Sequence, residues 1–351
     1  MHELGLLSEF LKLPHDEART IGGQIGDFKF TAADFTHLPT QCKFIALTPQ
    51  WDFLNFLADH AKRYPTFQLK LQHNVTDLIR DRNRIVGVQA ETPGGPVEIR
   101  ADLVIAADGR GSCVREKSGL PITDLGAPFD VLWMRVTRHA DDPHSSLGNF
   151  QAGRGIVMIN RGDYWQCGFL ITKGSLEVLK KKGLEAFHQN ILGVVPFLGE
   201  RVKELDGWDK IKLLTVQVNH LTRWHLPGLL CIGDAAHAMS PIGGVGVNLA
   251  VQDAVASANI LAAPLREKRV TEEILTRVQE RREWPTHMTQ HLQLAIQNHF
   301  LFPVLHAQKP IKPPFPVKLL ALFPILRRIP ARVIGLGFRP EHIRTPDSFP
   351  L

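Results

Sequence analysis

Two stretches of this chain set glycines, acids and hydroxyls where chemistry needs backbone and carboxylate close together. The first, Asp102 to Arg115, reads DLVIAADGRGSCVR. An apolar run ends at Asp108-Gly109, Gly109 and Gly111 let the backbone approach a ligand, and Ser112 is placed to cap a helix beginning at Val114 and Arg115. Taken alone, a strand followed by Asp-Gly is also a common turn. The second stretch, Gly228 to Ala254, runs an apolar segment into Gly233-Asp234, passes Ala235-Ala236-His237 to Pro241, and crosses Gly243, Gly244 and Gly246 before a helix near Val247. That order puts an acceptor carboxylate at the end of a strand and aims the positive end of a helix, with its free N–H groups, at whatever lies above the loop. An anionic or polarisable ring would be stabilised there. His237 has the chemistry of an acid or base, but beside this loop it reads as a structural polar group.

The elements that must hold these residues follow from apolar spacing. Leu6, Leu7, Phe10 and Leu11 predict a short helix stopped by Pro14, and Gln50 to Tyr64 predicts a second with Trp51, Leu54, Ala58 and Ala61 on one stripe. Phe67, Leu69 and Leu71 alternate as in a strand. Ile85 to Ala90 and Val97 to Ala101 flank the turn Pro93-Gly94-Gly95-Pro96 as a hairpin. Leu103 to Ala107 reads as a strand buried on both faces of a parallel sheet. Longer strands are expected over Val131 to Val136, Gly155 to Ile159 and Trp165 to Ile171. A helix over Leu176 to Leu192 and a return strand over Ile211 to Val218 come next, and then Leu229 to Ile232 re-enters the first sheet. Val247 to Ala263 and Thr271 to His299 read as helices.

Composition narrows the function classes. With 44% hydrophobic and 22% charged residues over 351 positions, the chain is an ordinary globular one of about two domains. No run reaches the length of uninterrupted apolar residues that a membrane span needs, and the acidic opening MHELGLLSEF does not resemble a signal peptide, so a cytoplasmic location is expected. Cys42, Cys113, Cys167 and Cys231 have no metal or disulfide spacing, and no metal is expected. From Leu301 onward eight Lys/Arg stand against Glu341 and Asp347, which accounts for the whole net charge of +6. The balanced remainder gives no footprint for nucleic acid. This last stretch also holds 10 of the 24 prolines, so short helices or surface-wrapped chain are expected. Its apolar stripe, Phe315 to Ile334 with Lys318, Arg327, Arg328 and Arg332 interleaved, reads as a helix packed on the body in preference to a membrane or lipid contact.

In their order and separation the two loops resemble the DG and GD motifs of the group A flavoprotein monooxygenases, the family of para-hydroxybenzoate hydroxylase, and the likeness runs over nearly the whole chain. It implies an α/β fold: a glutathione-reductase-like FAD-binding domain, interrupted by a mainly antiparallel substrate domain and followed by a helical C-terminal segment. The expected division is 1–126 and 223–300 for the FAD-binding parts, 127–222 for the substrate domain and 301–351 for the basic extension. By motif position, Gly233 and Asp234 lie at the ribityl chain, with Asp234 accepting from a ribityl hydroxyl. Pro241 and Gly243 lie beside the isoalloxazine, and Gly244, Gly246, Val247 and Asn248 offer N–H groups to its pyrimidine edge. Asp108, Gly109 and Ser112 belong near the pyrophosphate and the passing NAD(P)H. Gln50 stands where the family sets an Arg or Gln against the cofactor, although an ordinary first helical residue would look the same. Arg161, Tyr164 and Gln166, between two strands expected to pass over the flavin, are candidates for substrate contact or for a polar hairpin.

What the resemblance implies as activity is reduction of FAD by NAD(P)H, reaction with dioxygen, and transfer of one oxygen atom from a flavin hydroperoxide to an aromatic or polyketide-like substrate. It requires no catalytic side chain, and none is named. The oligomeric state is left open. A reductase of a lipid-like substrate and a non-catalytic fragment are the alternatives. The second arises because the family opens with a strand, a GxGxxG turn and a helix, and none of these is in the sequence: Gly22, Gly23 and Gly26 follow no expected strand. The expectation is therefore a reading frame that starts farther upstream.

Overall fold

The computed structural model describes residues 1–143 and 147–346. After a single helical turn, α1 (Leu7–Phe10), come β1 (Asp16–Ala18), β2 (Thr20–Ile25) and β3 (Phe28–Asp34). Gly22 and Gly23 thus lie inside β2, a strand that the apolar spacing does not predict. A Cβ on Gly23 would stand 2.2 Å from the Gly148 carbonyl oxygen, so the neighbouring strand can approach only a glycine backbone here. β4 (Ile45–Leu47) leads into α2 (Gln50–Ala61). Phe67, Leu69 and Leu71 form no strand; all three side chains are exposed, so nothing rewards their alternation with burial. β5 (Asn74–Asp81), β6 (Arg84–Thr92) and β7 (Gly95–Arg100) make an antiparallel sheet around the expected turn, followed by β8 (Val104–Ala106), α3 (Cys113–Ser118) and β9 (Ile122–Asp124).

The middle of the chain supplies β10 (Phe129–Thr137), β11 (Leu147–Gln151), β12 (Arg154–Asn160), β13 (Tyr164–Thr172) and β14 (Lys212–Leu214). The helix expected over Leu176 to Leu192 is broken by Gly183, at φ 88°, into α4 (Leu176–Lys181) and α5 (Leu184–Leu192). The return strand is confined to the three residues of β14. Together these strands form a seven-stranded sheet in the order β14-β10-β13-β12-β11-β2-β3, antiparallel except where β11 meets β2. The sheet-rich part therefore draws two strands from the N-terminal stretch. Alternation along β10 sends Leu132, Met134 and Val136 onto Phe187 and Ile191 of α5, while Val131 and Trp133 face the opposite side with Phe150, Phe300 and Leu301.

β15 (Asn219–Leu221), β16 (His225–Leu226) and β17 (Leu229–Cys231) return to the first part, where the order β16-β17-β8 places β17 parallel to β8. β17 is fully buried. β8 is an edge strand whose Ile105 is 42% exposed, which corrects the expectation of burial on both faces. The long helices α6 (Gly246–Arg266) and α7 (Glu272–Ile296) pack together, and α8 (Phe302–His306), α9 (Phe315–Leu322) and α10 (Arg328–Leu336) follow. The stretch Ile242–Arg266 has the length and apolar composition of a membrane span, but its Asp253 is buried in an ion pair with Arg282 of α7. That pairing marks α6 as a helix packed on protein.

One ion pair locks the seven-stranded sheet to the turns beneath it. Asp142 accepts from Arg201 Nη1 and Nη2 at 2.6 and 2.7 Å and from the buried Trp165 Nε1 at 2.8 Å. The Arg201 guanidinium holds the Asp142 carboxyl well below the usual carboxylate range. Asp142→Asn is expected to lower unfolding free energy by about 3 kcal/mol in urea titrations, because Arg201 would be left buried without its counter-charge. A loss within experimental error would show that the pair contributes nothing.

Candidate functional site

The two glycine-bearing loops meet at the end of the small parallel sheet. Ile232 N donates to Ala106 O at 2.9 Å, which sets the tip of β17 beside the tip of β8. Beyond the tips two arginines join the loops. Arg110 Nη2 reaches the Asp234 carboxylate at 3.1 Å, and Arg115 donates to the carbonyls of Asp234, Ala235 and Arg110 at 3.3, 3.2 and 2.6 Å. Neither arginine is legible as a site residue from spacing alone, since each acts across more than a hundred positions of chain.

The Asp108 loop is organised by its own polar groups. Asp108 accepts from Ser112 Oγ at 2.5 Å and from Val114 N at 3.1 Å, and Ser112 Oγ accepts from Arg115 N, so Ser112 caps α3 as expected. The carboxylate of Asp108 and the hydroxyl of Ser112 are therefore taken up within the loop, and what the loop presents outward is backbone. At Gly109 and Gly111 a Cβ would meet nothing within 4 Å.

Behind the Asp234 loop, side chains of α6 and α7 take up backbone groups at Gly233, Ala238, Ser240 and Ile242. Asp253, with no exposed side-chain surface, accepts from Gly233 N at 2.9 Å, His237 Nε2 at 2.6 Å and Arg282 Nε at 2.9 Å. Burial alone would raise the Asp253 pKa; His237 and Arg282 reverse this and hold it below its ordinary value. His237, packed against Trp224 with ring centroids 4.9 Å apart, is the structural group the sequence suggested. Farther along, Gln290 Nε2 donates to Ala238 O, while Gln293 donates to Ser240 O and Ile242 O and accepts from Ser240 N. Asp253, an acid in an otherwise apolar helix segment, is the one member of this network whose sequence context signalled a buried partner.

The front of the same loop is open. Gly243 and Gly244 have φ of 79° and 63° and are exposed, and a Cβ on Gly244 would meet nothing within 4 Å. Gly244 N donates to Pro241 O, so this amide closes the turn and is not free for a ligand as expected. α6 begins at Gly246 with no side-chain cap, so the first-turn N–H groups of Gly246, Val247 and Asn248 have no side-chain acceptor at the positive end of a long helix, where Val247 and Asn248 are exposed. The Asp234 carboxylate stands over this turn, 4.0 Å from where a Gly246 Cβ would sit. Beside it Arg110 Nη1 is buried with no acceptor among the described residues. An open glycine cradle, a carboxylate acceptor and a buried unsatisfied donor fit the ribityl and pyrimidine end of a flavin. The described residues offer no glycine-rich strand–turn–helix for its pyrophosphate.

The weaker candidates form a second group. Arg161 donates from Nε to Gln166 Oε1 at 3.0 Å and from Nη1 to Leu47 O, tying the β12–β13 turn to β4 just ahead of Gln50. Burial pushes the Arg161 pKa down. Tyr164 lies under Arg135, whose Cζ is 3.9 Å from the ring centroid. Gln50 is the exposed first residue of α2. No hydrogen bond among the described residues joins this group to Gly243–Asn248. Packing runs between them: Ile334 of α10 packs both on the Ala33, Phe35, Leu38 and Ala331 cluster, against which Ile45 also lies, and on the cluster of Met239, Val245 and Leu249.

Residues 1–291 match the family described as FAD binding domain. The 6-methylpretetramide 4-monooxygenase of Streptomyces rimosus is 31% identical over 265 residues, 74% of this chain and 63% of the relative. PqsL of Pseudomonas aeruginosa, solved in complex with 2-aminobenzoylacetate, superposes with a TM-score of 0.70 at 18% identity, covering 86% of this chain and 83% of that one. OxyS anhydrotetracycline hydroxylase from Streptomyces rimosus gives 0.69 at 20% identity over 99% of this chain and 66% of that one. The chain spans 50 to 63% of the length of the first three curated relatives it matches.

The Asp253 network makes two expectations about stability. Asp253→Asn and Arg282→Met are each expected to cost about 3 kcal/mol or more, with the double variant costing clearly less than their sum. Because the folded pKa of Asp253 is depressed, its contribution is complete above the ordinary carboxylate value and is lost as pH falls through the folded value. The gap between wild type and Asp253→Asn should therefore narrow on acidification below about pH 4. Additive costs, or a gap that widens with acid, would contradict the pairing.

Proposed function

The chain belongs to the FAD binding domain family, the group A flavoprotein monooxygenases, and from that premise we propose that it binds FAD and serves NAD(P)H-dependent insertion of one oxygen atom into an aromatic or polyketide-like organic substrate. The observation that carries the reading is the asymmetry of the Gly233–Asn248 loop. Its rear is held by hydrogen bonds from Asp253 of α6 and from Gln290 and Gln293 of α7, while its front offers Asp234, the open Gly243–Gly244 turn and the uncapped start of α6.

When bound, the flavin supplies two-electron redox chemistry, accepting hydride from NAD(P)H and activating dioxygen. The residues of this chain hold and polarise it. Asp234 would accept a hydrogen bond from a ribityl hydroxyl, and Arg110 Nη1 would supply a donor beside it. The N–H groups of Gly246, Val247 and Asn248 would stabilise negative charge on the pyrimidine edge from the start of the helix. Gln50 of α2 and the backbone at Gly109 would serve as further contacts to the cofactor. Ile242 of the loop packs on the cluster that holds Val131 and Leu170 of the large sheet, an apolar surface suited to an aromatic substrate and to exclusion of water. Arg161, Tyr164 and Gln166 orient the polar end of that substrate.

Titrating FAD into the protein and following flavin fluorescence tests the site. Wild type is expected to bind, and Asp234→Ala to weaken binding by about tenfold, the worth of one hydrogen bond to a charged group; equal affinity would remove Asp234 from the site. With substrate, NAD(P)H and oxygen, a product heavier by one oxygen atom supports the activity. A product differing only by two hydrogens would assign a reductase instead.

A further inference from the structure

The C-terminal helices use one face on the body and leave the other in water. Ala331, Ile334 and Leu336 of α10 pack on Ala33, Phe35 and Leu38, so the inner face is already occupied. On the outer face Phe315, Leu322, Phe323, Ile325 and Ile329 are each more than half exposed, Phe315 at 75%. Five large apolar side chains within one short segment exceed the scattered exposure of an ordinary surface. The exposed cations Lys312, Lys318, Arg328 and Arg332 are interleaved with them. Between Glu283 and Glu341 the sequence contains no acidic residue at all. Of the acids elsewhere in the chain, Asp34 lies near Arg328, where it is bonded to Thr36 and close to His37.

From this juxtaposition we infer that the outer face of α9, the turn Pro324–Arg327 and α10 is a docking surface for an anionic lipid bilayer. The pattern is that of an in-plane amphipathic anchor: apolar side chains enter the acyl boundary while lysines and arginines meet the phosphate headgroups. Length rules out a span, since the eight residues of α9 reach about 12 Å against a hydrocarbon core of about 30 Å. Prolines 316, 324 and 330 keep the pieces short and set their angles on the body. A second copy of the chain is a poor occupant, because the same acid-free basic surface would face itself. An anionic bilayer supplies the opposite charge over a surface of any extent. The inference stands apart from the flavin site and does not depend on it.

Flotation with vesicles of pure phosphatidylcholine, and of phosphatidylcholine containing one third phosphatidylglycerol, tests it on the whole chain. Wild type is expected to float with the anionic vesicles and at least about tenfold less with the neutral ones, and to be released as salt is raised. Replacing Phe315, Leu322, Ile325 and Ile329 by Ser should reduce binding by at least about tenfold at an unchanged melting temperature, because these side chains are exposed. Lys318→Glu with Arg332→Glu should abolish the preference for anionic lipid. Absence of flotation, equal flotation of the variants, or a dimer in light scattering that the Ser variant dissolves would each overturn the assignment, the last in favour of a second copy.

Discussion

A carboxylate with no exposed surface stays ionised only if enough donors surround it, and the loop at the centre of this protein is built on one such carboxylate. Asp253 sits one α-helical stretch beyond the loop it supports and accepts hydrogen bonds from three directions: the Gly233 amide, the His237 ring and the Arg282 guanidinium. Removing any one leaves charge uncompensated in a low-dielectric interior, so the three are fixed together. The same guanidinium reaches on to Glu341 and to the Arg339 carbonyl, so the network also fastens the C-terminal segment to α7. A strand end, a loop, two helices and the C-terminal chain thus share one electrostatic hub.

That hub explains why one side of the loop is free to serve a ligand. Glycines with left-handed backbone and an uncapped helix start are unfavourable features in isolation. They persist here because Asp253, Gln290 and Gln293 hold the loop at Gly233, Ala238, Ser240 and Ile242. Arg110 and Arg115 then bring the Asp108 loop alongside, so that two segments far apart in sequence present one surface.

The sequence made the loops legible because their chemistry depends on backbone, and backbone exposure demands Gly, Asp and Pro at fixed local spacing. Hairpins at Pro93–Gly95 and the strands of the middle sheet were legible for a similar reason: their alternation is local and rewarded by burial. What was not legible depends on distance. β2 hides because its glycines, poor strand residues by propensity, are selected by the close approach of Gly148. Arg110, Arg115 and Arg282 gain their roles only when chain segments meet. The apolar run ending in Ala106 looks buried on both faces, yet the edge position of β8 exposes Ile105. The C-terminal stripe reads as packed from its sequence, and half of it is; the exposed half is separated only by the inner face of α10.

The flavin site proposed here lies at the front of the Gly233–Asn248 loop. Hydrogen–deuterium exchange of the whole chain, with and without FAD, measures this at the amides concerned. Slower exchange at Gly246, Val247 and Asn248 when FAD is present, with the already bonded amides of Gly233 and Ser240 unchanged, is the predicted result. FAD binding that leaves the 246–248 amides exchanging at their free rate, with protection elsewhere, would contradict the account.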